Sequence, residues 1–191
     1  MAGRRGNRSA SSDNPRTRDT AAINTVANGD NGLSAGCALA LRRVRGGSLV
    51  ILGAEPAGAA AMTEGLSKGE SVKLSEITSE VQGLTTPFAG HHNVAVNLAV
   101  LDGTITLEDE AIYRAQRRLV NDDTASGWVG ETVEPAGAAA FAAALDPRTD
   151  GLIRSIHGAR GTPRPTDAPL RIAVTISGGN PDPAQLSSLR S

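Results

Sequence analysis

Residues 27–36 read ANGDNGLSAG, and the way this stretch is read decides the fold. It follows a short apolar-tending run at 21–27 and opens into an alanine- and leucine-rich segment at 37–44. A strand, a glycine-rich turn and a helix in succession would set backbone N–H groups at a helix N-terminus. Such groups lack intrahelical partners, and with the helix dipole they hold an anion. Gly29, Gly32 and Gly36 fit neither the dinucleotide fingerprint nor the phosphate loop that ends in Gly-Lys-Ser/Thr. By itself the stretch predicts an anion site without naming the anion.

Working outward, Arg42, Arg43 and Arg45 precede Gly46-Gly47, the cations and glycines expected at a helix C-terminus. Residues 49–53 (LVILG) are apolar without alternation, which suits a parallel strand buried on both faces. Pro56 is placed to start a helix over 57–66. Strand, helix, strand, helix predicts an α/β domain with a partly parallel sheet flanked by helices. Residues 71–90 read as an irregular loop, and His91-His92 lead an apolar stretch at 94–101. Adjacent histidines point in different directions on a helix or strand and make poor joint metal ligands. Thr106 with Asp109 resembles a capping box, followed by a helix with Ala111, Ile112, Ala115, Leu119 and Val120 on one face. Residues 121–127 break it. Pro135 takes the first turn of a helix running to Leu145, and 146–169 reads as a surface connection. Residues 171–176 (RIAVTI) form the last strand, and a final helix starts within 181–183.

The bulk properties set limits. At 191 residues with 2% aromatics, the chain is one domain whose core is built from Ala, Val, Leu and Ile. A net charge of −1 gives no general argument for nucleic-acid or anionic-membrane binding, and no apolar run approaches the roughly 20 residues that span a bilayer. A lone cysteine, Cys37, excludes an internal disulfide and fits a cytoplasmic setting. Residues 1–21 form a polar, arginine-rich tail expected to be disordered, since they offer almost nothing apolar to offset ordering entropy. A basic arm for nucleic acid, a transit peptide and a leader without function are alternative readings of that tail. The remaining body is mildly acidic and lacks an aromatic platform for bases, so no nucleic-acid partner is expected.

Three further pieces stand in order after the opening turn: Gly53-Ala54-Glu55-Pro56, Glu134-Pro135-Ala136-Gly137-Ala138, and Ser177-Gly178-Gly179-Asn180 behind the terminal strand. In this order the four motifs resemble the fold-type II enzymes that use pyridoxal 5'-phosphate. Within them the chain is similar to the threonine/serine dehydratases (ammonia-lyases of the tryptophan synthase beta-like family), with serine racemase-like proteins among them. The likeness covers residues 23–191, a dehydratase-like domain at 22–191 corresponding to the C-terminal half of such an enzyme.

The resemblance implies roles. Gly29, Asp30, Asn31, Gly32 and Leu33 take the place of the tetraglycine-type loop that holds the cofactor phosphate through backbone N–H groups. Ser177 lies by the pyridine nitrogen, which a hydroxyl does not keep protonated as a carboxylate would; this suits β-elimination. Glu134 approaches the wall of the site, and Gly178-Gly179 let the backbone pass close to the ring. The implied reaction is dehydration and deamination of a small hydroxy amino acid to a 2-oxo acid. Glu55 and Ala59 fall where some racemase-like relatives bind a divalent cation, but Ala61 replaces the acidic partner, so no metal is expected.

The departures from the pattern are specific. Lys68 and Lys73 are the chain's two lysines, and neither has the Ser-x-Lys context of the family's Schiff-base lysine. The chain is therefore expected to be a truncated form, inactive alone, that forms a homo-oligomer or pairs with a missing N-terminal half. Asp30 and Asn31 replace glycines of the cradle. A carboxylate about 5 Å from one phosphate charge costs on the order of 3 kcal/mol at an effective dielectric of 20.

Overall fold

The structure, a computed structural model, describes residues 20–25, 32–121, 132–163 and 169–189. Residues 1–19 of the tail, and Gly29, Asp30 and Asn31 of the glycine-rich turn, lie outside the described residues. One sheet is built from β1 (Thr20–Thr25), β2 (Val50–Pro56), β3 (Gly103–Leu107) and β4 (Arg171–Val174), in the order β3-β2-β1-β4. All three pairings are parallel, with Ile23 opposite Leu52 on one side and Val174 on the other. Strand β1 takes in Thr20 and Ala21, the last residues set apart as tail.

Every residue of β2 is buried, as its unbroken apolarity predicts. Val50, Leu52 and Ala54 face a layer containing α4 (Asp109–Asn121), α5 (Pro135–Leu145) and Ile153 of α6 (Pro147–Ala159). Leu49 and Ile51 face the other layer, meeting Ala38 of α1 (Gly32–Arg45) and Val100 of α3 (His91–Val100). Helix α2 (Ala61–Lys68) packs Ala61 and Met62 on Ala89 and Val94 beside that second layer. The alanines of α5 let it lie close to the sheet, and it touches all four strands.

Several expectations are corrected. Pro56 ends β2 instead of starting a helix: a 3-10 turn (Ala57–Ala59) intervenes, and α2 begins at Ala61. The cause is Glu55, whose carboxylate accepts hydrogen bonds from the N–H groups of Met62 (2.9 Å) and Thr63 (2.8 Å) and so sets where α2 starts. The capping box does not form. Thr106 belongs to β3, and Asp109 instead accepts from Ser79 Oγ (2.8 Å) and the Glu80 N–H (2.7 Å), tying down the loop before α3. The supposed connection at 146–169 contains α6, with Pro147 in its first turn and Asp146 accepting from the Arg148 N–H at 2.8 Å. Helix α1 starts at Gly32, so Gly32 and Leu33 are its first residues and not part of a loop.

The N-terminal edge of the sheet is closed by charge. Asp102, just before β3, accepts from the Ile51 N–H (2.7 Å), pairs with Arg42 (2.6 Å) and pairs with Arg160. Arg42 also donates to the carbonyls of Val100 (2.9 Å) and Leu49 (2.6 Å), and Arg160 to that of Gly47 (3.0 Å). The ends of α1, α3 and α6 thus meet the starts of β2 and β3 at one cluster. Its cations sit where helix C-termini present unpaired carbonyls.

Candidate active site

The opposite, C-terminal edge is open. Strands β1 and β4 are neighbours there, and the helices that follow them diverge. Helix α1 follows β1 onto the face shared with α3, while α7 (Pro183–Leu189) follows β4 and packs on α4. Neighbouring strands whose following helices leave to opposite faces open a crevice at their carboxyl ends, the usual ligand position in parallel α/β folds.

Two of the predicted motifs meet at this edge. The Glu134 N–H donates to the Gly178 carbonyl at 2.8 Å. Gly178 has φ +72°, and a Cβ there would run into the Glu134 side chain. A Cβ on Gly137 would run into the Ser177 carbonyl oxygen. Segment 177–178 therefore lies flat on the first turn of α5, which only two glycines permit. Glu134 precedes Pro135 and does not cap α5 with its side chain. Its carboxylate and the half-buried Ser177 hydroxyl make no hydrogen bond to any described residue. Gly32 and Leu33 occupy the first turn of α1, and a Cβ on Gly32 would meet nothing within 4 Å.

Polar side chains buried near this edge and in the layers behind it add to the arrangement. Gln116, fully buried on α4, donates to the Val133 carbonyl (2.7 Å) and reaches Gln185 of α7 (3.3 Å), fixing the approach to Glu134. Its signal is a polar residue inside the apolar face of α4. Asn97 and Ser34, both at 0% exposure, hydrogen-bond across α3 and α1. Glu55 is 3% exposed, and Thr63 Oγ1 adds a third hydrogen bond to it at 2.7 Å. Burial pushes the Glu55 carboxyl above its ordinary range, while the bonds from Thr63 and Met62 pull the other way.

With both oxygens engaged at the N-terminus of α2, and Ala61 contributing no ligand, Glu55 does not fit a cation site. Among the described residues no group of three or more His, Cys, Asp or Glu could hold a metal ion. Lys68 ends α2 and pairs with Glu64 (3.3 Å), and Lys73 forms an antiparallel bridge with Phe88. Both lie in the 61–90 region, outside the segments that bring Glu134 and Ser177 together.

A phosphorylated aromatic cofactor fits the described part of this edge. A helix N-terminus offers N–H donors for a phosphate, a hydroxyl without a partner among the described residues suits a ring nitrogen, and a glycine-lined wall admits a flat ring. The edge is a crevice at the carboxyl ends of a parallel α/β sheet, and comparison with known proteins gives the family. The family profile described as "Pyridoxal-phosphate dependent enzyme" matches residues 19–155, and the chain belongs to that family. It is 28% identical over 131 residues to threonine dehydratase 2 biosynthetic, chloroplastic, from Solanum lycopersicum, covering 69% of this chain and 22% of the relative. A similar match, 28% over 116 residues, is made to L-threonine dehydratase biosynthetic IlvA from Burkholderia multivorans, covering 61% of this chain and 22% of the relative.

Among solved structures, maize serine racemase superposes with a TM-score of 0.68 at 27% identity, covering 89% of this chain and 46% of that one. A threonine deaminase from T.th. superposes with 0.64 at 29%, covering 85% and 46%. The chain thus spans about a fifth of the length of these two curated relatives and just under half of these solved chains.

Proposed function

We propose that this chain carries the phosphate and ring-nitrogen side of a pyridoxal-phosphate site in an ammonia-lyase acting on a small hydroxy amino acid such as threonine or serine. The observation that carries this reading is the seating of Ser177-Gly178 on Glu134 and Gly137, beside the strand that leads into α1. When bound, the cofactor supplies the electron sink for breaking bonds at the amino acid's α-carbon. The chain's own residues would bind and orient it. The first N–H groups of α1 would face the phosphate, the Ser177 hydroxyl the ring nitrogen, and Gly178 would keep Glu134 along the wall.

No lysine stands on the segments that form this wall, so the described chain binds without turning over by itself. With L-threonine and added pyridoxal phosphate, a ketone-trapping assay is expected to detect no 2-oxo acid, while equilibrium dialysis detects bound cofactor. Turnover that survives replacement of both Lys68 and Lys73 would sink the claim of inactivity, and absence of binding would sink the cofactor reading.

A second reading, in which the chain pairs with a copy of itself or another chain, is favoured by the outer faces of α1 and α3. Leu39, Val44 and Leu98 are 49%, 75% and 44% exposed there.

A further inference from the structure

We infer that Gln116 is a positioning residue for the ring side of the crevice, latching α7, and with it Ser177-Gly178, onto the wall at Glu134; its consequence for the cofactor rests on the reading proposed above. The two halves of this wall are held unequally. Residues 133–137 are fixed from inside, since Val133 and Ala136 are buried in the main core cluster and α5 packs along α4. The other half, 177–189, extends beyond β4, and α7 buries no residue of its own. It meets the body of the fold through the Gly178 carbonyl, which accepts from the Glu134 N–H, and through Gln185. Near its end the Leu189 carbonyl accepts from Asn121 Nδ2 at 2.6 Å.

Gln116 stands where the two halves meet. Fully buried on α4, it donates from Nε2 to the Val133 carbonyl at 2.7 Å. A carbonyl only accepts, so the nitrogen must face Val133, and the fixed half thereby settles how the whole amide is turned. The amide then shows Gln185 a second N–H and its own carbonyl oxygen, and the Gln185 amide answers both. Gln185 Oε1 lies 3.3 Å from Gln116 Nε2, and Gln185 Nε2 lies 3.4 Å from Gln116 Oε1. Each of these bonds is long and weak. They are nevertheless made to a buried amide, for which a missing partner is costly. With little apolar burial to hold it, α7 relies on such polar contacts for its place. When α7 lifts, the stretch between it and β4 loses its far anchor, and the Glu134–Gly178 bond within that stretch opens more often.

The test reads that bond directly, as hydrogen exchange of the Glu134 backbone amide by NMR, with the Leu52 amide of β2 reporting global unfolding. Gln116→Met keeps the length of the side chain and removes its amide. It is expected to speed exchange at Glu134 about tenfold, the worth of one or two hydrogen bonds. Ile153→Val, a buried truncation on α6 that leaves the latch alone, is expected to speed Leu52 and leave Glu134 at the wild-type rate. If Gln116→Met does not fold, Gln185→Ala removes the other end of the latch from the half-buried side and is expected to speed Glu134 about threefold. An unchanged Glu134 rate in whichever latch variant folds, or an equal response of Glu134 to Ile153→Val, would overturn the latch. In equilibrium dialysis the folded latch variant is expected to bind pyridoxal 5'-phosphate about tenfold more weakly than wild type, and Ile153→Val to match wild type. Unchanged affinity beside faster exchange would overturn the positioning role. A wild type that binds no pyridoxal phosphate would overturn the cofactor reading, and the exchange rates would then decide the latch by themselves.

Discussion

Glu55 holds an almost fully buried carboxylate whose ligands are the first N–H groups of α2 and a threonine hydroxyl. Glu55→Ala would orphan the buried Met62 N–H and the half-buried Thr63 N–H and is expected to cost about 1–3 kcal/mol in a urea titration. Because burial raises its folded pKa above the ordinary 4.5, the folded chain binds this proton more tightly than the unfolded one. The associated stability is fully present below that value and is lost as pH rises through the folded pKa. Wild type should therefore lose ground to Glu55→Gln as pH is raised from about 4 to 7; a gap that stays constant would show that Glu55 does not titrate there. In the crevice, Gly137→Ala would drive a methyl into the Ser177 carbonyl, with an overpacking cost of about 1–3 kcal/mol. It should also abolish cofactor binding in dialysis at temperatures where the chain stays folded, and binding that survives would place the cofactor elsewhere. The motifs that contain Glu134, Ser177 and Gly178 can be read from the sequence, but the steric reason for both glycines exists only once 134–137 and 177–178 are brought together.

The legible elements were those whose burial is written locally. Helix α5 runs from Pro135 to Leu145 as its proline and alanines predict, and α4 buries Ile112, Ala115, Leu119 and Val120 as its spacing predicts. Helix α6 was hidden among Gly, Arg and Thr, although Asp146-Pro147 is a helix start and Leu152, Ile153 and Ile156 supply an apolar face. Strand β3 is too short for its alternation to stand out, and its neighbour Asp109 resembled a cap because the loop it actually holds is about thirty residues away in the chain. The element-level test concerns the clamp that joins these pieces. Asp102→Ala would free Arg42 and Arg160 and orphan the Ile51 N–H, and is expected to cost about 2 kcal/mol. That is below the range for fully buried pairs because the arginines keep part of their water. A change within about 0.5 kcal/mol would mean the clamp is ornamental.

At the scale of the molecule, strand order and shared direction follow from pairings between distant segments, which no local pattern contains. What could be anticipated was the alternation of strand and helix; which edge would be open could not. The outer faces of α1 and α3 carry Leu39, Val44 and Leu98 into solvent. Light scattering is expected to find wild type associated and Leu39→Asp/Leu98→Asp monomeric with an unchanged melting temperature; a monomeric wild type would count against pairing through these helices. The sheet also has two unlike rims. Asp102, Arg42 and Arg160 bind one rim together, while Ser177-Gly178 seats on Glu134 and Gly137 at the other. Stability is thereby invested at the rim farthest from the crevice. A substitution at the crevice rim leaves the clamp at the other rim untouched, so its stability effect is expected to add to that of Asp102→Ala and not to depend on it.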